Sequence, residues 1–169
     1  LFRSSAASDV YKRQKLSFVD SHSFLSSSLA NLVDLMCKGR DDLEDVLPLT
    51  FETVKNSRFW KDNTEVLQFL GRKPIYPYSF FKNIEDFEKT EWPPHSAFYN
   101  DLTEENITEE EHEYGRLVYE KSNYETLRDF SEFYLMTDCA LLADIWAWFS
   151  NLMSKVFNLY IENSLTGPG

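Results

Sequence analysis

The stretch YLMTDCALLADIWAWF, residues 134–149, lies inside a run that keeps helical spacing from about Thr126 to Phe157. At ~100° per residue, Leu127, Phe130, Tyr134, Leu141, Ile145, Leu152 and Val156 fall within about 40° of a common line. A helix this long and this apolar must bury its stripe, so the rest of the chain has to be arranged around it. Asp138 falls on the same line. An ionised carboxylate in apolar surroundings costs several kcal/mol unless it is paired, hydrogen-bonded or bound to a metal. Tyr134 stands one turn earlier on the same face, close enough for phenol and carboxylate to serve a shared ligand or water. Two readings follow from the spacing. Either Asp138 is held by a nearby Arg, by a backbone donor or at the rim of the stripe, or it does chemistry.

At 169 residues the chain has room for about one domain. Its 14 Phe, 9 Tyr and 4 Trp argue for a packed interior over an acidic disordered segment. With 28 acidic against 17 basic side chains the formal charge is −11, which lacks the positive footprint that a free-standing nucleic-acid binder needs. A part of a larger nucleic-acid enzyme remains compatible with that charge, because metal-dependent nucleases need local carboxylates and the basic surface can lie elsewhere. Cys37 and Cys139 are far apart, with no CxxC and no His at ligand spacing, so neither a zinc site nor a disulfide framework is indicated. A reducing intracellular compartment is the expectation. Asp138 and Asp144 interrupt the richest apolar run before it reaches the ~20 residues needed to span a bilayer, so no membrane partner is expected.

The opening LFRSSAASDVYKRQ, residues 1–14, has no periodicity and no cap, and resembles translated sequencing-adaptor sequence; it is expected to be a non-native leader. The closing NSLTGPG ends on a turn signal where a further element is expected. Between them, KLSFVDS alternates as a short strand ending near Asp20. SSSLANLVDLMCKG reads as an amphipathic helix with Ser caps, apolar Leu29, Leu32, Val33 and Met36, and Gly39 after its last turn. From Asp41 to Leu70 the pattern is weak, with Pro48 and a modest helix near TEVLQFL. GRKPIYPYSFFKNIEDFEKTEWPPHSAFY carries four prolines and eight aromatics, and reads as an extended connection pinned by its side chains. TEEEHEYGRLVYEK opens with Thr108 and Glu111 spaced as a capping box and reads as a surface helix.

Three blocks, KLSFVDSHSFLSSSLANLV, the LGRKPIYPYSFF…RLVYEK segment and TLRDFSEFYLMTDCALLADIW, resemble in their order the later part of the 3′→5′ exonuclease domain of protein-primed family B DNA polymerases. The likeness is to the forms carried by self-synthesising DNA transposons, related viruses and organellar linear plasmids, and covers roughly Lys15 to Gly169. It implies an α-rich α/β fold, a partial ribonuclease H-like exonuclease domain made mostly of helices with few short strands. The third exonuclease motif of that family is a Tyr, three residues, then an Asp on a helix, which falls here on Tyr134 and Asp138. The resemblance implies that Asp138 helps hold one of two divalent ions, Mg²⁺ or Mn²⁺, and that Tyr134 orients the attacking water. Lys73, with Tyr76, looks like the family's upstream Lys and hydrophobic position, where the ammonium neutralises developing phosphate charge. A Ser-Leu pattern that contacts single-stranded DNA or the priming protein falls on Ser21 and Leu25, with His22 in place of the expected Leu; Ser21 is the candidate phosphate ligand. Asp20 is instead a strand-end or turn residue by its local chemistry.

The resemblance assigns no residue of this sequence to the family's first exonuclease motif, a D-x-E, to its second exonuclease Asp or to the polymerase signatures. The remaining metal carboxylates are therefore expected in sequence upstream, and the chain alone is expected to be inactive. DNA with a single-stranded 3′ end and a priming protein are the partners the resemblance implies. His22, His95 and His112 lack ligand spacing, while Trp92, Tyr99, Trp146 and Trp148 read as packing anchors. The rival reading is a non-catalytic acidic helical interaction module, or a decayed transposon remnant, in which Asp138 is structural.

Overall fold

The computed structural model describes residues 20–59, 67, 69–101 and 103–161. The leader, most of the KLSFVDS strand, most of TEVLQFL and the closing NSLTGPG lie outside the described residues. The fold is α-rich: α1 (Leu29–Cys37), α2 (Leu43–Val46), α3 (Pro48–Lys55), α4 (Glu109–Lys121) and α5 (Leu127–Phe157). Short 3₁₀ turns occur at Ser21–Ser23, Ile84–Glu88 and His95–Phe98. The few short strands expected reduce, among the described residues, to one antiparallel bridge between Asn100 and Glu105. Prolines at 74, 77, 93 and 94 remove amide donors from the long connection, which bonds locally in turns instead of in a ladder.

The long helix forms where its spacing places it. Thr126 is the N-cap, and the Asp129 carboxylate reaches back to accept from Glu125 N at 2.8 Å and Thr126 N at 3.4 Å. Its far end closes on Asn158 in the left-handed region (φ 53°), a conformation Asn tolerates, and Asn158 N donates to Ser154 O at 3.1 Å. Arg58 clamps the first turn by bonding Asp129 at 2.7 Å and Glu132 at 2.6 Å.

The buried stripe differs from the line drawn on the sequence. Buried residues are Leu127, Phe130, Phe133, Tyr134, Thr137, Ala140, Leu141, Asp144 and Ile145, while Leu152 and Val156 are exposed. That set centres roughly 50° round the helix from the expected line. Asp138 is consequently half-buried at the edge of the stripe, and Asp144 lies within it. The line that put Asp138 on the buried face left out Phe133, Thr137, Ala140 and Asp144, which are buried on the side of the helix away from Asp138.

Packed against the stripe are α3 and α1, in a core of Leu25, Val33, Met36, Leu47, Phe51, Val54, Phe59, Leu70, Phe133, Leu141 and Ile145. The apolar face of α1 buries Val33 and Met36, with Ser28 Oγ accepting from Asn31 N at 3.2 Å as its cap. α3 has no cap of its own, because the preceding residue is Leu47 and the first helical one is Pro48. Asp144 supplies the cap from α5: its carboxylate accepts from Leu49 N at 3.0 Å, Thr50 N at 2.8 Å and Thr50 Oγ1 at 2.7 Å. Buried carboxylate and helix N-terminus satisfy each other.

The aromatic connection is pinned as its composition suggests. Trp92 lies 5.3 Å from both Phe98 and Phe130, and Phe81 stacks on Phe87 at 4.5 Å. Trp146 packs on Phe24 at 5.4 Å. Trp148 is 40% exposed and is not the packing anchor expected, because it faces the uncovered part of α5. α4 opens on the expected capping box, with Thr108 N donating to Glu111 at 2.7 Å and Glu111 N to Thr108 Oγ1 at 3.1 Å. Its Gly115 is where the connection passes closest: a Cβ there would sit 2.6 Å from Ile75 Cδ1 and 2.9 Å from the Trp92 ring. Gly115→Ala is therefore expected to lower the melting temperature. Its gain in helix propensity, ~1 kcal/mol, is outweighed by overpacking against a rigid indole, ~1–3 kcal/mol. A rise in melting temperature would show that Trp92 yields.

Candidate functional site

The segment from Gly71 to Tyr78 crosses the side of α5 and brings Lys73, Tyr76 and Tyr78 to Tyr134 and Asp138. Tyr76 stacks on the Tyr134 ring with centroids 4.4 Å apart and an interplanar angle of 25°. Its hydroxyl donates to Ser131 Oγ at 2.9 Å, and Ser131 Oγ donates to Leu127 O at 2.8 Å, which anchors the segment to the helix. Lys73 Nζ then lies 3.3 Å from Asp138 Oδ1 and 5.9 Å from the centroid of the Tyr134 ring. Both charged side chains are about two-thirds covered, at 27% and 30% exposure. Asp138 Oδ1 is shielded from solvent, yet among the described residues no donor is aimed at it in hydrogen-bonding geometry. The contact with Lys73 is an ion pair by distance without being a directed hydrogen bond.

Tyr134 is buried, and its hydroxyl shares a hydrogen bond with the hydroxyl of Tyr78, itself 64% exposed. Burial pushes the Tyr134 phenol well above the usual tyrosine range, and the Tyr78 hydrogen bond and the Asp138 charge push the same way. Tyr134 is thus a neutral phenol at ordinary pH, able to orient a water or an oxyanion but not to act as a phenolate base. Its described partner is Tyr78 and not Asp138, which differs from the shared-ligand geometry the spacing suggested.

Lys73, Tyr134 and Asp138, picked from separate parts of the sequence, are neighbours. Ser21 is not joined to them by any hydrogen bond or ion pair among the described residues. It opens a 3₁₀ turn whose cap is Asp20, with His22 N donating to Asp20 Oδ1 at 2.9 Å, and Leu25 points into the core. Asp20 is the turn residue its chemistry suggested. Two functional-looking groups were missed. Tyr78 had a signal only in its place in an aromatic run. Asp144, the deeply buried carboxylate, was read merely as a break in an apolar stretch.

A cavity of about 810 Å³ adjoins this group, with Lys73 and Thr137 on its wall and Phe69, Ile75, Tyr114 and Phe133 among its apolar lining. Lys38, Arg72 and Lys73 face Asp34, Glu110 and Glu111 around it, so it favours neither sign of charge. No three His, Cys, Asp or Glu side chains gather among the described residues in a way that could hold a metal ion. The described chain therefore offers one candidate carboxylate, Asp138, and not a complete metal centre. Cys37 and Cys139 are free thiols. No described helix is long and apolar enough to cross a membrane. No family model, curated protein or solved structure matches this chain.

Proposed function

We propose that this chain is part of the 3′→5′ exonuclease domain, ribonuclease H-like in fold, of a protein-primed family B DNA polymerase that replicates a virus, linear plasmid or transposon. The observation that supports this reading best is the meeting of Lys73 with Tyr134 and Asp138, across an ion pair of 3.3 Å and a ring contact of 5.9 Å. In the intact enzyme Asp138 is one carboxylate of a two-ion Mg²⁺ or Mn²⁺ site whose other ligands come from sequence beyond these residues. Bound there, the ions supply activation of water and stabilisation of the departing oxygen. The neutral Tyr134 phenol fixes the line of attack, Lys73 meets phosphate charge, and single-stranded DNA and the priming protein are the partners. Ser21 is a phosphate contact in this reading only if substrate bridges it to the group.

The test is Asp138→Ala in a full-length enzyme containing this segment. Loss of most 3′→5′ degradation with nucleotide addition largely kept is the expected outcome, because ion ligation is local to the hydrolytic site. Retained degradation, or loss of both activities in a folded protein, would sink the proposal. The exposed end of α5, where Val156 and Phe157 are 61% and 60% exposed, favours a second reading as a helical interaction module. An intact upstream D-x-E and downstream polymerase motifs in the full-length transcript would decide against it.

A further inference from the structure

α5 outruns the core it packs against. Its last buried residue is Ile145, and from 146 to 157 no position is buried. At ~1.5 Å per residue that overhang is about 18 Å long. The apolar pattern continues past the buried part: Trp148, Leu152 and Val156 follow Ile145 by three, seven and eleven residues and so prolong its row along the helix. They are 40%, 38% and 61% exposed, and Phe157, Leu159 and Tyr160 widen the patch at 60%, 43% and 60%. Six side chains about half exposed present roughly 600 Å² of mostly apolar surface, the upper end of what a monomer ordinarily leaves in water.

Charge narrows the choice of what covers it. The chain carries a formal charge of −11, yet between Ile145 and Ile161 there is no Asp or Glu, and Lys155 is the single cation. Two copies meeting at this patch bring no carboxylates face to face, whereas their net charge disfavours contact through the acidic remainder of the surface. A membrane-surface helix draws on several cations along its polar face, and this one has Lys155 alone. A different protein would find almost no charge pattern to select it, while a copy needs one face that matches itself. Two such patches make a contact of about 1,200 Å² in total, the lower edge of the range for specific interfaces.

We propose that the end of α5 is a homodimer contact, in which two copies pack the row of Trp148, Leu152 and Val156 antiparallel across a two-fold axis. The dimer is weak and reversible, as its area requires. Lys73, Tyr134 and Asp138 take no part in it, so this contact and the exonuclease reading stand or fall separately.

Sedimentation equilibrium of the full chain is expected to show a monomer–dimer equilibrium with a Kd of roughly 10–100 µM. Val156 sits near the middle of the patch and is 61% exposed, so Val156→Glu should leave the circular dichroism and melting temperature unchanged while weakening association about tenfold or more. Val156→Lys should do the same. An equimolar mixture of the two should associate within about threefold of wild type, because the two-fold axis sets opposite charges across the contact. A chain that stays monomeric throughout, or a dimer that Val156→Glu does not weaken, would overturn the proposal. So would a monomer whose residues 148–157 are protected from hydrogen exchange, which would put the chain's own ends on the patch. A monomer that floats with phosphatidylcholine vesicles would put lipid there instead of a copy, with the same consequence.

Discussion

Asp144→Ala is expected to destabilise the fold by about 3–5 kcal/mol, the range for removing one side of a buried, charge-assisted set of hydrogen bonds. Three donors lose their acceptor at once: Leu49 N, Thr50 N and Thr50 Oγ1. Asp144 is 3% exposed and Thr50 0%, so water does not readily replace the carboxylate. Part of the loss, about 1 kcal/mol, is simply that of an N-cap, and α3 has no other because Leu47 has no capping group. The rest is the cost of leaving polar groups buried and unpaired. Asp144→Asn keeps one carbonyl acceptor and gives up the charge, so about 1–2 kcal/mol is expected. Asp138→Ala provides the contrast at under ~1 kcal/mol, since its ion pair is partly exposed and undirected. Urea unfolding of the three variants measures this as a shift of midpoint at unchanged slope. If Asp138→Ala proved the costlier substitution, the roles assigned to the two carboxylates would have to be exchanged.

This contrast marks what could be read from the sequence. Helix boundaries set by local chemistry were legible: Ser28 before α1, Thr108 with Glu111 on α4, and the span of α5 up to Asn158. α2 and α3 were not, because neither has a strong stripe, and the acceptor that caps α3 lies 94 residues away on the chain. A cap supplied from another element leaves no local signature. The same blindness misplaced the buried face of α5. Periodicity weights every apolar residue alike, whereas burial depends on which turns have neighbours, and Leu152, Val156 and Phe157 have too few. Asp138 looked like the buried carboxylate because the line was drawn without Phe133, Thr137, Ala140 and Asp144, which are buried on the side of α5 away from it. At the candidate site, Lys73, Tyr134 and Asp138 are neighbours and Ser21 is not joined to them, and neither fact could be read from spacing. Spacing placed Tyr134 and Asp138 on adjoining turns, but only the course of residues 71–78 across α5 puts Lys73 on one and Tyr78 on the other.

Tyr78 gives the proposed chemistry its sharpest test. In the full-length enzyme, Tyr134→Phe is expected to slow 3′→5′ hydrolysis by about 10²-fold, the lower end of what removing one preorganised donor does. Tyr78→Phe should slow it about tenfold, because it leaves the Tyr134 hydroxyl in place and deletes only the partner that aims it. Both substitutions keep their rings, so the stacking of Tyr76 on Tyr134 and the contact with Lys73 should survive, and melting temperatures should hardly move. If the two hydroxyls act as one device, the double variant will be close to Tyr134→Phe and not the product of the two losses. The pH dependence carries a sign of its own. Burial raises the Tyr134 phenol, so it stays protonated where an ordinary tyrosine, with pKa about 10, begins to ionise. The ratio of wild-type to Tyr134→Phe rates should therefore remain flat as pH rises toward 10. A ratio that collapses there would show an ionising phenol, and the hydroxyl would not be the buried, neutral donor that Tyr76, Tyr78 and α5 are arranged to hold.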